Sequence, residues 1–226
     1  MYVYSNLLFP PQKLFELENN RILVIGMNGE IQILDENLIA EFDYKKPFPT
    51  SISISSVSKN TLFACWIDLE LMIARMASID LNSEINNGIT RAELRRKLES
   101  KSQPQVESSK WSHILDSEPL ALISNDHILV FNSWKRGLYC VDHESNELWR
   151  IPEIKWLNKL KNANIIISIE VTDKGLLVWS KAAEWFLINK ENGEIIENGQ
   201  VEFQNILEKV FVYENKRLLC SPNGFV

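Results

Sequence analysis

Short apolar runs of four to six residues alternate with polar breaks along most of the chain. The segment Pro119–Ile151 shows the unit most clearly. Leu120–Ile123 is apolar, and Asn125-Asp126 breaks the run. His127–Phe131 follows, then the polar stretch Asn132–Arg136. Gly137–Asp142 comes next, then the turn His143–Asn146, then Glu147–Ile151. Runs this short, rich in β-branched and aromatic residues and bounded by Asn, Asp and Gly, predict strands joined by hairpins. The unit is therefore four antiparallel strands.

The second run of the unit recurs as Arg21–Ile25, Thr61–Cys65, His127–Phe131, Gly175–Trp179 and Lys216–Cys220. Each copy follows a turn residue: Asn20, Asn60, Asp126, Lys174 or Asn215. The third run recurs as Glu30–Asp35, Ala74–Asp80, Gly137–Asp142 and Glu184–Asn189. All four copies end on Asp or Asn, whose side chain can close the next turn on its own backbone. Asn28-Gly29, Asn192-Gly193 and Asn223-Gly224 supply tight hairpin turns. Successive second runs stand 40, 66, 48 and 41 residues apart, measured between Ile25, Cys65, Phe131, Trp179 and Cys220. A four-stranded propeller blade repeats every 40–45 residues or so, and the one long interval marks an insertion. The fold expected is an all-β propeller of five four-stranded blades in one domain, 1–226, with a short helical insertion at 88–110. The last unit, Glu208–Tyr213 and Lys216–Cys220, runs out after two strands. Met1–Ser5 resembles the strand it lacks. Val3 and Tyr4 are therefore expected to pair with the sheet that contains Arg217–Cys220 and close the ring, which removes exposed sheet edges.

Gly137-Leu138-Tyr139-Cys140-Val141-Asp142, followed by Leu148-Trp149, resembles the quinoprotein-like (PQQ-like) repeat family of propellers. In that family the tryptophan docks against the neighbouring blade. The resemblance implies a fold and no activity, because no counterpart of that family's calcium and cofactor ligands is visible here. No cofactor and no metal are expected.

The insertion carries Thr90-x-x-Glu93, a capping box that starts helices. Leu94 and Leu98 share a face, so the helix either packs down by this pair or forms on binding. Arg91, Arg95, Arg96, Lys97 and Lys101 give it a basic surface on a chain of net charge −6. The connection Pro152–Asn162 adds Lys155, Trp156, Lys159 and Lys161. Were the insertion an inter-blade connection like this one, the two basic segments would be neighbours. Together these nine residues are the candidate contact surface for a partner. Trp111 and Trp134 also fall in connections, while Trp66, Trp149, Trp179 and Trp185 fall on strands.

Composition narrows the rest. Apolar residues make up 45% of the chain and charged residues 24%, as in an ordinary globular domain. The negative net charge argues against a general polyanion binder. No apolar run approaches the roughly 20 residues of a spanning helix. Three scattered cysteines and the absence of an N-terminal leader pattern point to a cytoplasmic monomer with free thiols. His113, His127 and His143 pair with no nucleophile, and Cys140-x-x-His143 stands without a second ligand pair. Some five-bladed propellers are glycosidases, and here Glu118 and Glu170 are the only catalytic candidates. The expected function is a non-catalytic scaffold for a protein partner, with an acidic surface as the natural complement. The alternatives are a small-molecule or glycan hydrolase using those carboxylates, and polyanion or nucleic-acid binding through the basic loops.

Overall fold

A computed structural model describes residues 6–152, 154–157, 163–202, 205–213 and 216–222. The chain forms two compact units, Met1–Glu118 and Pro119–Val226.

The first unit holds two antiparallel meanders. β1 (Pro11–Glu16), β2 (Ile22–Gly26) and β3 (Ile31–Leu34) form one, and its outer edge is bridged by Ala40 and Lys45 instead of a regular fourth strand. β4 (Ile52–Ser58), β5 (Thr61–Asp68), β6 (Ile73–Asp80) and β7 (Ser109–Ile114) form the other. Lys59 and Asn60 make the two-residue β4–β5 turn with φ of 46° and 56°. Positive φ at both turn positions suits the right-handed twist of the flanking strands. Leu23, Ile31, Leu62, Trp66 and Ile79 build the core between the two sheets.

Helix α1 (Arg91–Glu99) lies between β6 and β7. The capping box forms as expected: Glu93 N–H donates to Thr90 Oγ1 at 3.3 Å, and Thr90 N–H donates to Glu93 Oε2 at 2.8 Å. Leu94 is fully buried and Leu98 half-buried in the core of this unit. The helix therefore packs down by its leucine pair. Arg75, only 3% exposed, fastens the segment that follows by donating from Nε to the Pro104 carbonyl at 3.2 Å.

The insertion is not a connection between two sheets. It sits inside the second sheet, and residues 109–110 belong to β7. This fourth strand, Ser-Lys-Trp-Ser-His-Ile, has no β-branched run to announce it. Trp111, read as a connection residue, lies on this strand and stacks on His113 at 5.1 Å.

The second unit begins with β8 (Pro119–Ser124), β9 (Ile128–Ser133), β10 (Gly137–Asp142) and β11 (Glu147–Ile151). β12 (Ile166–Thr172), β13 (Gly175–Ser180), β14 (Glu184–Ile188) and β15 (Ile195–Gln200) form its second sheet. β16 (Lys209–Tyr213) pairs with β17 (Lys216–Cys220). The first strands of the three sheets are neighbours, with β12 lying against both β8 and β16. The five recurring second runs are thus β2, β5, β9, β13 and β17, one in each sheet. Met1–Ser5 and the Asn223-Gly224 turn lie outside the described residues.

The third strands close as their sequence implies. Asp35 Oδ1 accepts N–H from Asn37 at 2.9 Å, Asp80 from Asn82 at 3.0 Å, Asp142 from Glu144 at 3.0 Å, and Asn189 from Glu191 at 2.9 Å. Trp149 makes the inter-sheet contact that the repeat implies. Its indole N–H donates to the Lys190 carbonyl at 2.9 Å, in the β14–β15 turn of the next sheet. The ring lies on Gly193, where φ is 75° and a methyl group would press into the indole at 2.8 Å.

Candidate functional site

A groove of about 660 Å³ opens at one end of the second unit. It lies where β8 and β12 begin and β9 ends, so one wall is the β9–β10 hairpin and the other is the β11–β12 connection. Cavities of this size hold small ligands or short peptide segments.

The hairpin wall starts from Asn132, which is 4% exposed. Its Oδ1 accepts N–H from Leu120 at 3.2 Å and from Ala121 at 2.6 Å, which satisfies the irregularity where β8 shifts register. Among the described residues its Nδ2 has no hydrogen-bond partner. Trp134 and Lys135 occupy the hairpin tip. Lys135 has φ of 59°, and its ammonium group lies 4.7 Å from the centre of the Trp134 ring. Trp134 remains 47% exposed. Gly137 ends the turn at φ of 94°, and a Cβ there would collide with the carbonyl oxygens of Ile151 and Pro152.

The opposite wall is fastened at successive residues. Ile154 is buried in the core of this unit. The Trp156 ring meets Phe186 of β14 edge-on, with centroids 5.1 Å apart. Leu157 N–H donates at 2.8 Å to Oε2 of Glu184, a fully buried carboxylate on β14. These contacts hold Lys155 at the groove with its side chain in solvent. Among the described residues no carboxylate lines the groove, and none lies in ion-pair range of Lys135 or Lys155.

Two of the expected contact residues, Lys155 and Trp156, therefore meet here. Trp156 is half-buried and fixed by its contact with Phe186. Trp134, read as a loop aromatic, joins them. Lys159 and Lys161 lie outside the described residues. The helix-borne cations belong to the first unit. Arg91 pairs with Asp68 at 2.8 Å and with Glu70 at 2.7 Å, and Arg95 also pairs with Glu70. Arg96, Lys97 and Lys101 stay exposed on the helix and just after it. Lys135, Asn132 and Asn164 were missed as site residues. The one available signal was an aromatic next to a lysine in the polar stretch after β9.

The candidate catalytic carboxylates fall in different units. Glu118 is exposed, while both oxygens of Glu170 on β12 receive Arg217, at 2.7 and 2.9 Å. His143 Nε2 lies 2.8 Å from the Asn125 carbonyl oxygen. Burial pushes the Cys140 thiol up to about 12 and the Cys65 thiol higher still. Among the described residues no cluster of three His, Cys, Asp or Glu could hold a metal, and no helix is long and apolar enough to cross a membrane.

No protein-family model matches the chain, and no curated protein matches it by sequence. Solved structures resemble it in fold. The β-propeller domain of Cps50 (Swd1) from Myceliophteria thermophila aligns with a TM-score of 0.63 at 13% identity, covering 94% of this chain and 62% of that one. The C-terminal WD40 domain of Sif2 gives 0.61 at 13% identity, covering 93% and 52%. BBS1N, solved in complex with ARL6DN, gives 0.60 at 11% identity, covering 94% and 62%. The chain thus spans between half and two thirds of the length of these neighbours. The likeness shows an all-β propeller fold of four-stranded antiparallel sheets with one short helix. The fold resembles that of WD40 propellers, and the quinoprotein label finds no support in these structures.

Proposed function

We propose that this chain is a non-catalytic interaction module, and that the groove of the second unit docks a protein partner. The carrying observation is the pairing of Trp134 and Trp156 with Lys135 and Lys155 in one open groove, fixed by Asn132, Phe186 and Glu184. Aromatic residues on a rigid scaffold are the usual anchors of an interface, because they cover much area for little lost entropy. Connections carried by a stiff sheet are where binding residues concentrate. The helix patch at Arg96, Lys97 and Lys101 is a secondary contact in the same proposal. BBS1N, a neighbour in fold, is itself seen in a complex with another protein.

A photo-crosslinking residue at Lys135 tests the reading, with a second chain carrying it at Glu191 as control. The expected result is a protein adduct, identified by mass spectrometry, that forms at Lys135 and not at Glu191. It should disappear when Trp134 is replaced by alanine. Equal adducts at both positions, or none at Lys135, would refute the assignment.

A further inference from the structure

The proposed docking site also has a polarity, and from it we infer that the groove recognises an acidic, extended peptide segment bearing an apolar side chain. This rests on the interaction-module reading above and adds the chemistry of the partner.

Three groups at the groove can only give hydrogen bonds. Lys135 and Lys155 present ammonium groups from opposite walls, and Asn132 has spent its oxygen on β8. That leaves Asn132 Nδ2 as a donor at the groove, among the described residues without a protein acceptor. An acceptor supplied by the ligand would pair with it. Oxygen atoms on a ligand would meet all three of these donors. Charge then selects carboxylates: among the described residues the two lysines have no carboxylate partner, on a chain whose net charge is −6. A cationic or neutral segment would leave this local positive field unused.

The aromatic rings set the second requirement. Trp134, half open to solvent, and Trp156, held on Phe186, offer apolar surface between the two cations. An aliphatic or aromatic side chain next to the carboxylates would cover it, and Lys135 already grips the Trp134 ring from one side. Nucleic acid also supplies anions and flat rings. Two lysines on an acidic chain are too few for it, because affinity for a phosphate backbone grows with the number of phosphates neutralised.

The test uses labelled peptides of about a dozen residues, read by fluorescence anisotropy, since a segment of that length spans a groove of this size. One peptide alternates Asp or Glu with Leu and Phe. A second replaces every acid by Lys, and a third keeps the acids but replaces the apolar residues by Ser. A single-stranded oligonucleotide is the fourth probe. The acidic, apolar peptide should bind tightest. The double variant Lys135→Glu with Lys155→Glu should weaken it by about tenfold or more, whereas Lys174→Glu, in the exposed β12–β13 turn, should change it by less than about twofold. Trp134→Ala should weaken it as well. Raising salt from about 0.05 to about 0.5 M should weaken binding to the wild type more than to the double variant. All substituted positions are exposed, and unchanged melting of each variant confirms the fold.

Equal or tighter binding of the Lys peptide or the oligonucleotide would overturn the inference. So would an undiminished affinity in the double variant, or no binding by any probe. The crosslink at Lys135 separates this failure from failure of the broader reading. A groove-specific adduct with no preference for acidic peptides would discard the acidic segment and keep the docking site. Loss of both would discard the two together.

Discussion

Replacing Trp149 and Gly193 singly and together tests how one sheet is locked to the next. Trp149 is 7% exposed, lies flat on Gly193, and donates its N–H to the Lys190 carbonyl. Trp149→Ala removes a large buried side chain and leaves a cavity, a cost of about 3–5 kcal/mol. Trp149→Phe keeps most of the ring but forfeits the hydrogen bond to the carbonyl of the exposed Lys190, a cost of about 0.5–1.5 kcal/mol. Gly193→Ala acts twice. Its left-handed backbone costs a residue with a Cβ about 1–2 kcal/mol. The new methyl also drives into the indole, and overpacking of this kind costs a further 1–3 kcal/mol or so. The second penalty exists only while the indole is present. Gly193→Ala should therefore be about 1–3 kcal/mol less damaging in the Trp149→Ala background than in the wild type. Urea unfolding followed by far-ultraviolet circular dichroism reads all four corners of this cycle. The Trp149→Ala melting temperature should fall by about 6–20 °C, given roughly 2–4 °C per kcal/mol at this chain length. A strictly additive cycle, or a Trp149→Ala variant within about 1 kcal/mol of the wild type, would refute the docking argument.

Leu94→Ala should cost about 2–5 kcal/mol in the same assay, because Leu94 is fully buried in the core of the first unit, whereas Arg96→Glu with Lys97→Glu should leave stability within about 1 kcal/mol. Glu30 gives a pH signature. Burial pulls its carboxyl upward, but its own and Asn28's backbone N–H groups, Asn28 Nδ2 at 3.2 Å and Lys46 at 3.7 Å outweigh burial and hold it below the usual range. The unfolded chain thus binds its proton more readily, so this stabilisation is complete above about pH 4.3 and fades as the pH falls through the lower folded value. Glu30→Gln should flatten the acid limb of the stability profile, and an unchanged limb would count against the Asn28 and Lys46 contacts. A thiol reagent at pH 8 should label Cys220 in the native protein and reach Cys65 and Cys140 only on unfolding, since both are buried and pushed towards the thiol form. Native-state labelling of Cys65 would contradict the sealed core around β5.

The strands were legible because their pattern is local. Ile22–Gly26, Thr61–Asp68 and Gly175–Ser180 are apolar runs bounded by turn residues, and nothing distant alters that reading. The capping box at Thr90 and Glu93 was legible for the same reason. β7 was not, since Ser109–Ile114 earns its place by pairing with β6 across an insertion, and no local propensity marks it. The irregular cover of β3 by Ala40 and Lys45 is hidden likewise, because isolated bridges leave no periodicity. At the groove, Lys155 and Trp156 stood out as a basic, aromatic connection. Asn132 did not, since a polar residue at a strand end is ordinary until its oxygen is seen closing the irregularity in β8. On the helix, Arg91 and Arg95 have partners at Asp68 and Glu70, some twenty residues earlier in the sequence, a pairing no local pattern marks.

The side-chain closures at Asp35, Asp80, Asp142 and Asn189 carry a consequence for the order in which the protein assembles. Each is made to a backbone group two residues away, so it can form as soon as that stretch of chain exists. Hairpins organised this way close within about 1–10 μs, far faster than a residue is added during synthesis. Among the described residues every sheet is a meander of sequence neighbours. Slow steps are thereby confined to the docking of finished sheets, as when the Trp149 indole must find Gly193 and the Lys190 carbonyl. A nascent chain that has emerged as far as Ile151 already holds all it needs to build the β8–β11 sheet, but its indole faces water until residues 190–193 follow. Refolding should accordingly show a fast phase in far-ultraviolet signal and a slower one in tryptophan fluorescence.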